Sequence, residues 1–261
     1  MTLHKSRAAA LSMAFLGLAM SQPCIAAADD WQYEATFYLH AAGMEGDAGI
    51  HGVTTDVDTS FRDILDHLDG GFMGMISARK GPWSLGLDVV YMNLEADESK
   101  SVTGPFGKVT VKGALDMETS LYVAMASVGY RLLDDRTKFD VLGGLRYTRL
   151  EADADIKVVL PGVVFPGGSR SASGHDDWVD GVVGMRVIHP VADRVSLVGY
   201  VDVGAGGSDL TYQAIAGAYW EFAEGYKAHA GYRLIYWDYD NDGNVWDITA
   251  SGPYMGLGIS F

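Results

Sequence analysis

The chain has 261 residues, 48% of them hydrophobic, with 33 glycines, a single cysteine and a formal net charge of −15. So large an acidic excess argues against a nucleic-acid partner and against electrostatic binding to an anionic lipid surface, since both need clustered cations. No run of eighteen apolar residues follows residue 28, so no transmembrane helix is available, and the length suits one sizeable domain.

Residues 1–28 have the form of an export signal. Lys5 and Arg7 make a basic start, Ala8 to Met20 is apolar but too short to span a bilayer, and Ala26-Ala27-Ala28 offers a cleavage site before Asp29. The mature domain is thereby predicted as 29–261; losing Lys5 and Arg7 takes its charge from −15 to −17. Cys24 lies in the removed segment, behind Pro23 rather than the small residue that a lipoprotein signal uses. The mature chain is left without a thiol, a disulfide or a cysteine-based metal site.

Trp31 to Ala42 alternates with period two, Tyr33, Ala35, Phe37, Leu39 and Ala41 on one face and Gln32, Glu34, Thr36 and His40 on the other. From Gly43 to Gly70 the alternation breaks. Phe61, Ile64, Leu65 and Leu68 then fall at helical spacing, with Thr59 or Ser60 to cap the start and Gly70 to end it. This predicts a short helix in the first extracellular loop, on the rim or folded in as a plug. Phe72 to Arg79 and Trp83 to Leu94 form the next hairpin, with Trp83, Leu85, Leu87, Val89 and Tyr91 outward and Ser84, Gly86, Asp88 and Met92 inward. Aromatics at both ends of an apolar row predict an aromatic girdle.

Residues 95–113 read as a polar loop and Asp116 to Leu132 as a strand. Phe139 to Thr148 is the fifth, with Arg146 inward, and a long loop is expected over 151–177. Trp178 to Val187 places Asp180 and Arg186 inward, Val195 to Val203 places Asp202 inward, and Gly204 to Gly207 is a tight hairpin. Leu210 to Glu221 and Tyr226 to Trp237 follow, Glu221 and Arg233 on their inner faces; Asp240-Asn241-Asp242-Gly243 is a hairpin tip. The last strand, GPYMGLGISF, sets Met255, Leu257, Ile259 and Phe261 on one face. Ten strands result, eight and twelve being the neighbouring even counts, with short and long connections alternating. The fold class is all-β: an antiparallel up-and-down barrel that exposes its apolar face to lipid.

The terminal alternation ending in Phe261 resembles the C-terminal strand of bacterial outer-membrane β-barrel proteins. Asp177 to Asp180, Gly184 to Arg186, Gly207 to Leu210, Gly231 to Arg233 and Gly252-Pro253 are similar to stretches of small Gram-negative barrels of that superfamily. The resemblance implies an outer-membrane location, outer-membrane lipid and lipopolysaccharide as surroundings, and reading of Phe261 by the barrel-assembly machinery. A monomer is expected; the resemblance implies little about activity, since such barrels serve as anchors, adhesins, pores and enzymes.

Asp88, Arg146, Asp180, Arg186, Asp202, Glu221 and Arg233 share inward parity and predict a luminal charge network, since a small barrel cannot leave them dry and unpaired. His175-Asp176-Asp177 lies at a strand end where omptin-type outer-membrane proteases carry Asp and His, though the paired Asp residues of a second rim strand are not evident. Asp238, Asp240, Asp242 and Gly243 match the opening of a calcium loop, but Thr249 stands where its closing Glu belongs. Neither a catalytic set nor a cofactor is expected. The reading is a structural or surface-interaction barrel; a narrow pore for small solutes or ions and a rim hydrolase are the alternatives.

Overall fold

In the computed structural model the structure describes residues 30–50, 53–103, 110–159, 168–241 and 243–261. The expected export signal, residues 1–28, lies outside the described residues. The elements in chain order are β1 (Gln32–His40), β2 (Gly43–Ile50), β3 (Val53–Thr59), α1 (Phe61–Asp66), β4 (Leu68–Lys80), β5 (Trp83–Thr103) and β6 (Thr110–Asp134). They continue with β7 (Lys138–Val159), β8 (Gly168–Ala192), β9 (Val195–Gly206), β10 (Leu210–Ala223), β11 (Tyr226–Asn241) and β12 (Asn244–Ser260).

Each strand from β4 to β12 pairs with its successor, and β1 lies between β4 and β12. Glu34 faces Ser260 and His40 faces Tyr254 across the closing seam, so ten strands make a closed antiparallel barrel. Phe261 adds a last pair of backbone bonds to Tyr33, each 3.0 Å, and stacks on its ring at 5.8 Å. The short turns after β4, β6, β8 and β10 gather at the end where β1 begins and β12 ends. The segment His189–Ala192, which follows the stretch read as a strand over 178–187, stays in β8 with a register shift at Pro190/Ala192. A bulge suits Pro190, which has no N–H for the ladder.

Three stretches expected as loops are strands. Residues 43–50 and 53–59 pair as β2 and β3, docked on the upper half of β12 from Gly49 opposite Val245 to Gly43 opposite Ser251. β12 has 17 residues and β1 covers only its lower half, so its upper edge needs other backbone partners. Gly46 makes the fit possible: at φ +141°, a Cβ there would lie 2.0 Å from the Asp247 carbonyl oxygen. Residues 95–103 and 110–113 continue β5 and β6, and 151–159 and 168–177 continue β7 and β8. These four strands are 21 to 25 residues long. That is about twice what a tilted strand needs to cross a bilayer. The backbone ladder runs on in unbroken register into these upper halves, pairing β5 with β6, β6 with β7 and β7 with β8.

α1 starts where expected. Ser60 Oγ accepts from the Asp63 N–H at 3.3 Å, and the Asp63 carboxylate accepts from the Ser60 N–H at 3.2 Å, a reciprocal capping box. It ends at His67, three residues before Gly70, because the chain rejoins the sheet at Leu68 opposite Leu94 and the Glu95 N–H bonds the His67 carbonyl at 2.8 Å. Of the predicted stripe only Ile64 is buried.

The barrel is inside-out for water. Phe37, Leu145 and Leu257 are each 59% exposed on the outer face, whereas Thr148 and Ile248 on the inner face are fully buried. Trp83–Tyr130 and Tyr33–Phe261 mark one aromatic level at the short-turn end; Phe37–Phe72, Tyr91–Tyr122 and Tyr212–Tyr236 mark the other. An apolar band between two aromatic belts is the surface of a barrel solvated by lipid.

Candidate functional site: the filled lumen and its long-strand rim

Inward parity carries the charged side chains into four clusters. Nearest the short turns, Asp140 takes Arg79 at 3.1 Å, Arg131 at 2.8 Å and Arg186 at 2.7 Å. Beside the closing seam Glu34 pairs with Lys227, with His229 3.8 Å away. Higher up, Arg146 Nη2 donates to both oxygens of Asp202 at 2.7 and 2.8 Å, and its Nη1 donates to Thr211 at 2.8 Å. The Tyr200 hydroxyl also donates to Asp202, at 2.6 Å. Next to it Arg233 holds Asp88 at 3.0 Å, the Tyr38 hydroxyl at 2.6 Å and Gln213 at 2.7 Å.

Of the residues singled out from sequence, Asp88, Arg146, Arg186, Asp202 and Arg233 thus have charged partners inside the lumen. Asp180 faces Arg146 in the register but instead accepts the Ser208 N–H at 2.8 Å, fastening the β9–β10 turn. Glu221 is exposed beside the Ala223–Tyr226 turn and is not brought into any cluster. Arg146 and Asp202 have side-chain exposures of 1% and 0%. Desolvation costs such ions several kcal/mol each, offset only by full pairing and hydrogen bonding. Asp202 has that satisfaction from Arg146 and Tyr200.

Above the charges lies an apolar layer that sequence reasoning missed. Trp237 is opposite Ile248, Ile235 is opposite Ala250, and Met92, Leu121 and Leu150 run side by side, with Ile64 of α1 reaching in from above. Trp237 is 1% exposed and adjoins Thr211, the acceptor for Arg146, so the apolar layer rests directly on the charged one. Its sequence signal is a run apolar on both parities, as in Leu234-Ile235-Tyr236-Trp237, where lipid and lumen are both dry.

The rim is uneven. The β9–β10 connection ends low, at Gly206–Leu210, while β8 and β11 rise past it. Trp178 and Tyr239 close the gap by stacking at 4.1 Å and 14°. Asp176 accepts from the Tyr239 hydroxyl at 3.2 Å and from Asn244 Nδ2 at 2.9 Å. His175 is exposed on the opposite face of β8, because consecutive strand residues point apart, so it forms no dyad with Asp176. Of the calcium candidates, Asp242 lies outside the described residues; Asp238 and Asp240 sit two apart on extended β11 rather than around a loop. Asp238 belongs to a cross-strand row with Asp247, Asp47 and Asp56. Among the described residues no group of three or more His, Cys, Asp or Glu is placed to hold a metal ion.

No protein-family model and no curated sequence matches the chain. Among solved structures, the outer-membrane protease OmpT from Escherichia coli superposes with a TM-score of 0.58 at 10% identity, over 92% of this chain and 100% of that one. The translocator domain of the autotransporter NalP from Neisseria meningitidis gives a TM-score of 0.39 at 16% identity, over 88% of each chain. At 10% identity the OmpT likeness is one of fold: the architecture is that of the outer-membrane β-barrels of Gram-negative bacteria.

Proposed function

We propose that this outer-membrane β-barrel is a non-conducting membrane anchor that holds its long-strand end outside the cell as an interaction surface. The observation that carries the reading is the filled lumen: Arg146 and Trp237, on successive levels, are each 1% exposed. A pore would need a continuous hydrated path past both. In barrels of this kind short turns lie in the periplasm. The extended β5 to β8 wall then stands on the extracellular side, and the export signal at residues 1–28 and Phe261 serve delivery and assembly. A structural and surface role is favoured over a narrow pore for that reason, and over a rim hydrolase because His175 and Asp176 point apart.

Planar-bilayer recording of the purified protein tests it. Closed, featureless traces are expected. Steady single-channel steps whose size changes in Arg146→Ala would overturn the reading.

A further inference from the structure

We propose that the rim pocket between β8, β11 and β12 binds the head of a primary alkylammonium group. Tyr239 stacks on Trp178 and stands directly opposite Trp246, so three aromatic side chains share one inner row. With Leu150, Asp176 and Asn244 they line a partly open cavity of about 30 Å³. One water needs roughly 10–15 Å³ by this measure. The space suits an –NH3+ and one water; a quaternary ammonium is bulkier and has no N–H to give Asp176.

Asp176 supplies the charge that calls for a cation. Met92, Leu121 and Leu150 are its successive neighbours along the inner row, all apolar. Its hydrogen-bond donors, Tyr239 and Asn244, are neutral, and among the described residues no cationic side chain pairs with it. Half-buried and without a counter-charge of its own, the carboxylate leaves a cation's attraction at this spot uncancelled. Aromatic faces add attraction for a cation within about 6 Å of their centroids.

A second sign of a guest is that the indole N–H groups of Trp178 and Trp246 are buried with no hydrogen-bond partner. These side chains are 5% and 9% exposed. A hydrated ammonium answers both needs: its charge faces Asp176, and the oxygen of its water accepts from an indole. A hard metal ion fits poorly, since calcium takes about six to eight oxygen ligands and this pocket presents one carboxylate. The formal charge of −15 favours the approach of cations over anions.

The test uses the full mature barrel, folded in detergent or nanodiscs, with n-butylammonium chloride as probe and tryptophan fluorescence and calorimetry as readouts. Saturable binding is expected, absent with sodium chloride at matched ionic strength and at least tenfold weaker with tetramethylammonium. Cadaverine and N-acetyl-lysine-methylamide, run in parallel, separate a free amine from a lysyl side chain as the source of the head. Asp176→Asn, which keeps size and removes charge, should weaken butylammonium binding at least tenfold while the protein still shows heat-modifiable migration. If that variant does not fold, Trp246→Leu carries the same expectation. No saturation in the wild type, equal affinity in Asp176→Asn or equal affinity for tetramethylammonium would overturn the proposal. None of these outcomes depends on whether the barrel conducts.

Discussion

Arg146 and Asp202 share a site from which water is gone, and this sets the cost of separating them. Arg146→Ala leaves the Asp202 carboxylate buried with the Tyr200 hydroxyl as its remaining donor, and breaking a buried pair in this way costs about 3–5 kcal/mol. Replacing both together by apolar residues of similar volume should restore most of that, because no unpaired charge remains. Urea unfolding of the single and double variants in lipid vesicles measures the difference. A second contrast tests whether the lumen is a packed core. Ile248→Ala removes a fully buried side chain and should cost about 2–5 kcal/mol. Leu145→Ala, 59% exposed on the lipid face, should cost well under that, since lipid fills the space left behind. Leu145→Arg is another matter: a cation at mid-membrane costs about 2–4 kcal/mol. Equal losses for the two alanine variants would mean that the inner layer is loosely packed.

At the scale of elements, α1 depends on a titratable cap. Hydrogen bonds from the Ser60 hydroxyl, then from its backbone N–H, hold the Asp63 carboxyl below its ordinary value of 3.8. The folded helix favours the ionised form, so the cap stabilises above the unfolded value and is lost as pH falls through the lower, folded one. Protection against hydrogen exchange over residues 61–66, relative to the unfolded chain, should therefore fall below pH 3.8, and in Ser60→Ala it should be low at every pH. The acidic row on the upper sheet behaves oppositely. Burial, then the charges of Asp247, Asp209 and Asp240, push the Asp238 carboxyl up. Its ionised form is thus penalised in the folded sheet, and the penalty lifts as pH falls through the raised value. Like charges directly opposite one another destabilise strand pairs, and Asp247→Asn should add about 0.2–1 kcal/mol at neutral pH. A thermal melt of that variant above the wild type checks it; no gain would mean that the row is neutralised from outside.

For the whole molecule, the barrel and its long-strand wall are separable in principle. The ten-strand ring closes through β1 and β12 below the level at which β5 and β6 rise past Leu94 and Thr119. Replacing residues 96–117 by a short turn should leave heat-modifiable folding intact while removing any partner that binds the wall. Loss of folding in that variant would show instead that the wall is part of the barrel's own stability. Deleting Phe261 removes the stack on Tyr33 and two backbone bonds at the closing seam, so slower assembly into the outer membrane is expected, measured as the fraction of heat-modifiable protein in envelopes.

The sequence alone determined the barrel, its ten spanning strands and which face of each meets lipid. Period-two alternation is local, and lipid rewards it residue by residue, so Leu85, Leu145 and Leu257 declare their side without reference to any neighbour. Inward parity also marked Arg146, Asp202 and Arg233 for the lumen. Their partners were beyond reach, because Arg146 lies 56 residues from Asp202 and meets it only over the intervening strand β8 of the curved wall. The strand character of 43–50 and 53–59 rested on an exposed edge of β12 that no local pattern announces. The apolar upper lumen and the pocket of Trp178, Tyr239 and Trp246 came only with the tertiary structure. Their environment is set by which strands stand opposite and how low β9–β10 turns, and a residue apolar on the inner face looks, in one dimension, like a fault in the alternation.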